Sequence, residues 1–143
     1  MTSELRVDKI IPTTGAPTGG GGGVIQVVSA TKTDTQTFTS IGNHDITGLS
    51  VTITPKFATS KMLIMYTVNV GPYEGGYSAG VTIVRDSTEI FIGDAASNRR
   101  QVSTFTSISN TGGGTDYNMV NANGQHLDSP NTTSAVTYKI QGR

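Results

Sequence analysis

Few residues in this chain have the capacity for chemistry, and they are widely spaced. Its two histidines, His44 and His126, stand about 80 positions apart. A metal site draws on at least three ligands, some at close spacing. Here His44 has only Asn43 and Asp45 beside it, and His126 has only Asp128. Both read as loop or strand-end residues. Glycoside hydrolysis needs two carboxylates on either side of a scissile bond. The ten carboxylates run singly from Glu4 to Asp128, mostly at turn positions where Asp bonds its own backbone. Gly19 to Gly23 lacks the Gly-Lys-Ser/Thr ending of a phosphate loop and leads into Val24-Ile25-Gln26. Asn131-Thr132-Thr133 matches a glycosylation sequon, a three-residue pattern of low specificity. No catalytic residue, metal or cofactor is expected.

Binding is the chemistry better served. Gly71-Pro72-Tyr73-Glu74-Gly75-Gly76-Tyr77-Ser78 places Tyr73 and Tyr77 on a glycine-flanked loop, suited to stacking on sugar or peptide. The competing reading folds both rings back on the sheet or onto a neighbouring subunit. Arg99 and Arg100, with Asp94 nearby, form a second candidate surface. Its competing reading is a solvated loop or an ion pair between subunits.

Composition indicates the elements that carry these loops. Apolar residues make up 34% and charged residues 14%, well below the roughly 25% of an average domain. Thr, Ser, Asn, Gln and Gly supply the polarity. Thr suits the exposed face of a strand, and Ser, Asn and Gly suit turns. Formal net charge is zero, and Arg99-Arg100 is the sole adjacent basic pair, so no nucleic-acid surface is indicated. Without cysteine there is no disulfide or thiolate metal site. No signal peptide is read after Met1, and the longest apolar run, Met62 to Met65, is too short for membrane insertion.

Three parts follow along the 143 residues. Residues 1–11 alternate apolar and charged positions and read as an extended docking arm, with Leu5, Val7, Ile10 and Ile11 as its contacts. Residues 12–23 are a Gly/Pro linker, and residues 24–143 form the β domain. Expected strands are 24–30, a weaker 35–39, and 49–54 with Leu49, Val51 and Ile53 inward. Next comes 61–70, with Met62, Ile64, Tyr66, Val68 and Val70 on one face. Leu63 and Met65 make its other face apolar too, as in a central strand or one packed on a neighbouring chain. GVTIV (80–84) and EIFIG (89–93) read as a hairpin about Arg85-Asp86-Ser87-Thr88, and 101–108 as a further strand. Residues 117–120 and 125–127 read as a second hairpin about Asn123-Gly124. Residues 134–140 close the chain, with Val136, Tyr138 and Ile140 inward. No helical period is sustained. About nine or ten short strands predict an all-β, antiparallel sandwich or jelly-roll-like domain.

Several short segments, in order, resemble a group of cyanophage and marine-phage structural proteins. The opening Ser3-Glu4-Leu5-Arg6-Val7-Asp8-Lys9-Ile10-Ile11-Pro12-Thr13-Thr14-Gly15 is similar to their start, and Val24 to Thr35 to their first domain strand. Gly48 to Pro55 with Ser60-Lys61, Val84 to Thr88 with Ile92-Gly93-Asp94, and Leu127 to Pro130 with Thr132-Thr133 and Thr137-Tyr138-Lys139 continue the match. The resemblance implies a non-catalytic tail-fibre-type or capsid-attached fibre protein of the virion, assembled in the host cytoplasm and usually a homotrimer. It would dock on other virion proteins through residues 2–11 and expose the β domain, with host surface glycan as a further partner. The alternatives are a capsid cement or decoration protein and, last, a polysaccharide depolymerase. Relatives of this kind continue beyond the Tyr138-Lys139-Ile140-Gln141 position with another hairpin and an apolar strand. The expectation is therefore that a final strand is missing or that a neighbouring chain covers an open edge.

Overall fold

A computed structural model describes residues 24–71, 78–107 and 119–143. These form seven strands: β1 (His44–Ile53), β2 (Met62–Val70), β3 (Ser78–Arg85), β4 (Thr88–Ile90), β5 (Thr104–Ser107), β6 (Val120–Asp128) and β7 (Val136–Gly142). All pairings are antiparallel. The described residues include no helix long and apolar enough to cross a membrane. The expected all-β, antiparallel class is what the chain adopts.

The strands divide into two sheets. In the larger, β1, β7, β3 and β4 lie in that order, and β5 also pairs with β3. β4 and β5 share one edge of β3 end to end, at Ile83–Arg85 and Ser78–Val81 respectively. Ser103 fills the junction between them. Its amide donates to the Val81 carbonyl at 2.9 Å, and its hydroxyl accepts from the Ile83 amide at 3.0 Å. Backbone groups that neither short strand reaches are thereby satisfied. The smaller sheet is β2 paired with β6.

Apolar side chains from the two sheets pack together. Val81 and Ile83 of β3, Ile140 of β7 and Ala122 of β6 are buried together, with Ile64, Tyr66, Val68 and Val70 of β2 packed on them. Ile53, Val136 and Tyr138 form a second cluster, against which Met62 and Ile64 pack. Each fully buried aliphatic side chain contributes about 1.5–3 kcal/mol relative to exposure. The alternation expected for the last strand is present, since Val136, Tyr138 and Ile140 are buried. The outward threonines Thr52 and Thr137 are direct partners, with hydroxyls 2.9 Å apart.

Four sequence expectations are corrected. Residues 24–30 and 35–39 form no regular strand. No described strand pairs with them, and Gln36 instead bonds the β1 backbone through its side chain, to the Asp45 carbonyl and the Thr47 amide. β2 is not central: within the described residues it pairs with β6 alone. The strand buried on both faces is β3, where Val81, Thr82, Ile83 and Val84 are all buried. Asn123-Gly124 is no turn. β6 runs straight through it, in unbroken register with β2 from Met62↔Asp128 to Val70↔Val120. Gly124 takes no positive φ, and the Tyr66 ring lies over it, so close that an added Cβ would stand 2.7 Å from the hydroxyl oxygen. A hairpin there would strip nine-residue β2 of its partner, and the longer ladder prevails. Lastly, the described residues hold seven strands rather than nine or ten.

The hairpin about Asp86-Ser87 does form, closed by the Arg85↔Thr88 pair. Asp86 adopts φ 54°, the left-handed conformation of such turns. Its carboxylate accepts from the Thr137 amide at 2.9 Å and its own amide donates to the Thr137 carbonyl at 2.7 Å, tying the turn to β7.

Candidate functional site

Three of the described titratable groups, Asp128, Arg85 and Tyr138, link the two sheets. Asp128, at the end of β6, is the buried carboxylate among them. Arg85 Nη1, from β3 in the opposite sheet, donates to both of its oxygens at 2.8 and 2.9 Å. The Tyr138 hydroxyl, from β7, donates to Oδ2 at 2.7 Å. Burial works to raise the Asp128 pKa, but the Tyr138 and Arg85 hydrogen bonds and the guanidinium charge outweigh it and hold the carboxyl below its ordinary range. Burial first, then the neighbouring Asp128 carboxylate, pushes the Tyr138 phenol well up, so it stays protonated as the donor. Asp45, at the start of β1, accepts from Lys139 Nζ at 2.9 Å and Gln141 Nε2 at 2.6 Å, and these two bonds lower its pKa.

Both histidines face aromatic rings in separate sheets. His44 stacks on Phe38 with centroids 4.9 Å apart, and its Nε2 donates to the Ser40 carbonyl at 3.0 Å. His126 stacks on Phe91 at 4.8 Å. His44 is the strand-end residue expected, as the first residue of β1, whereas His126 lies within β6, and both are half-buried rather than exposed. Phe91 ends β4 at φ 54°, an unusual conformation for a bulky side chain. Among the described residues, no group of three or more His, Asp or Glu could hold a metal ion.

Arg99 and Arg100 lie exposed on the irregular segment between β4 and β5, where the Arg99 amide closes a turn on the Ala96 carbonyl at 3.1 Å. Among the described residues, no ion pair joins either arginine to Asp94. Tyr73 and Tyr77 of the candidate loop, and Leu5, Val7, Ile10 and Ile11 of the arm, fall outside the described residues.

Sequence reading did not single out the outer face of the β2–β6 sheet as a whole. Along β2 it carries Leu63, Met65, Thr67 and Asn69, and along β6 Asn121, Asn123, Gln125 and Leu127, all exposed. Leu63 and Leu127 are direct partners, as are Asn69 and Asn121. The amides form a chain: Asn123 Nδ2 donates to Asn121 Oδ1 at 2.9 Å, and Asn121 Nδ2 donates to Asn69 Oδ1 at 2.9 Å. A shallow depression of about 560 Å³ lies over this row, bounded by Met65, Asn121, Asn123 and Gln125. No residue of this face is charged. The apolar half was legible in Leu63 and Met65, but the amide half was hidden by reading Asn123-Gly124 as a turn.

Comparisons of this chain with protein-family models, with curated proteins and with solved structures find no match.

Proposed function

We propose that this chain is a non-catalytic structural component of a bacteriophage virion, of tail-fibre or capsid-attached fibre type. Its N-terminal arm would anchor it, and its β domain would be displayed as a homotrimer. The observation that carries the reading is the order of parts in the sequence. An apolar–charged alternation at residues 2–11 is followed by a Gly/Pro linker and then by a Thr- and Asn-rich β domain. The ordered resemblance to phage structural proteins points the same way. Asp45 and Asp128 serve contacts between strands, and His44 and His126 stack on Phe38 and Phe91, which supports a scaffold role. The arm would dock on another virion protein by strand addition through Leu5, Val7, Ile10 and Ile11.

Deleting residues 1–23 tests this. The expected outcome is a domain that folds, by far-ultraviolet circular dichroism, but is absent from purified particles. Normal incorporation of the truncated chain would remove the anchoring role. A cement protein shares these parts and differs only in its attachment point, which labelling of the assembled particle would locate.

Host attachment is the further activity of such a displayed domain. Exposed Arg99 and Arg100, together with Tyr73 and Tyr77, are its proposed contacts with surface glycan. Cell binding should fall several-fold on changing both tyrosines to Ala, and unchanged binding would discard that loop.

A further inference from the structure

Residues 24–30 (VIQVVSA) have the composition of a strand, yet no ladder among the described residues contains them. Val24 and Val27 are 85% and 81% exposed, and Ile25 and Val28 nearly half exposed. The described residues contribute no backbone hydrogen bond to this segment. Downstream it is pinned to the larger sheet. Gln36 bonds the β1 backbone at Asp45 and Thr47, and the Phe38 ring stacks on His44 and lies against Gly142 of β7. An adhesive, uncharged stretch is thus held at one end and left without a ladder.

The smaller sheet has the complementary deficit. Two strands are marginal as a layer, and three or more are the usual requirement. β2 pairs with β6 on one side, and among the described residues its other edge has no partner strand. The far side of β6 is partly met by β5, where Thr104 Oγ1 donates to the Asn123 carbonyl at 3.1 Å. An edge strand with unpaired amides and carbonyls is a template for another chain. β2 lacks the devices that discourage such pairing, since Met62–Val70 contains no charge and no proline.

We propose that Val24–Ala30 of one copy adds as a strand to the open edge of β2 in a second copy. A second copy suits both surfaces on chemical grounds. Donor and acceptor are neutral, so pairing strips no charge of water. The added strand would extend the two-stranded layer and shield Leu63 and Met65 on its outer face. Donation of this kind is head-to-tail, and with a suitable rotation it closes on itself as a ring. For a ring of three copies it rests on the homotrimer reading above.

The chain has no cysteine, so introduced thiols are the only ones present. Facing side chains on adjacent strands lie within disulfide reach. Tagged Val27→Cys would be mixed in turn with untagged Leu63→Cys, Met65→Cys and Thr67→Cys under mild oxidation. A disulfide-linked heterodimer is expected in at least one mixture, and none with Thr133→Cys. Light scattering should give three times the chain mass for the unaltered protein. It should give a single-chain mass for Val27→Lys, which changes an exposed position and should leave the circular dichroism unaltered. A single-chain mass for the unaltered protein at tens of micromolar would overturn both strand donation and the trimer. A trimer with no cross-link to β2, and insensitive to Val27→Lys, would overturn strand donation alone.

Discussion

At the scale of single residues, Asp128 carries the largest structural duty. It draws Arg85 of β3 and Tyr138 of β7 toward the end of β6, so one carboxylate ties the two sheets together. The carboxylate is nearly enclosed while the Arg85 side chain is 29% exposed, which tempers the cost of separating them. Asp128→Asn should lower unfolding free energy by about 1–3 kcal/mol in urea titration, because Arg85 loses its counter-charge and Tyr138 its charged acceptor. Since the folded pKa of Asp128 lies below the ordinary carboxylate value of 3.8, its contribution is complete above that pH. It is lost as pH falls through 3.8 toward the lower folded value. Thermal unfolding followed across that acidic window should therefore fall less steeply in Asp128→Asn than in the unaltered chain. Asp45 adds a smaller drop of the same sign, being lowered by Lys139 and Gln141 at an exposed site.

At the scale of elements, the β2–β6 ladder turns on Tyr66 and Gly124. The two are direct partners, and the ring occupies the space a side chain at 124 would need. Gly124→Ala should cost about 1–3 kcal/mol through displacement of the ring, since the backbone there needs no glycine conformation. Adding Tyr66→Leu should recover part of that loss in a double-mutant cycle. Equal loss in both backgrounds would assign the cost elsewhere. Gly80 plays the same part in β3, where a Cβ would come 2.7 Å from Val102 Cγ1. The all-β, antiparallel class, the hairpin at Asp86-Ser87 and the alternation of β1, β2 and β7 were legible because each depends on a two-residue period or a short turn. The Asn123-Gly124 reading failed because a local turn signal competes with nine paired positions along β2, and paired positions are a long-range property.

At the scale of the whole molecule, positive and negative charges balance. Net charge is zero, and the exposed β2–β6 face joins a leucine pair to a row of amides. Proteins of low net charge lack the repulsion that keeps copies apart. Leu127→Lys, at an exposed position outside the shared core, should change stability by no more than about 0.5 kcal/mol. If that face is covered in the assembly, the same change should raise the concentration at which light scattering detects oligomers. The chain also carries its candidate contacts in separate places. Arg99 and Arg100 sit on the segment after β4, while the amide row is on the smaller sheet. Substitutions in the two places can therefore be made independently.

The sequence by itself determined the class of fold, the inward sets of β1, β2 and β7, and the absence of cysteine chemistry. Strand alternation follows from covalent geometry and needs no knowledge of partners. Only the tertiary structure decided which strand is buried on both faces, that 24–30 has no described ladder, and that Asp128 lies beneath Arg85 and Tyr138. Those outcomes depend on which distant segments meet. The contest between alternative pairings is settled by total buried area and hydrogen bonds, which no local window contains.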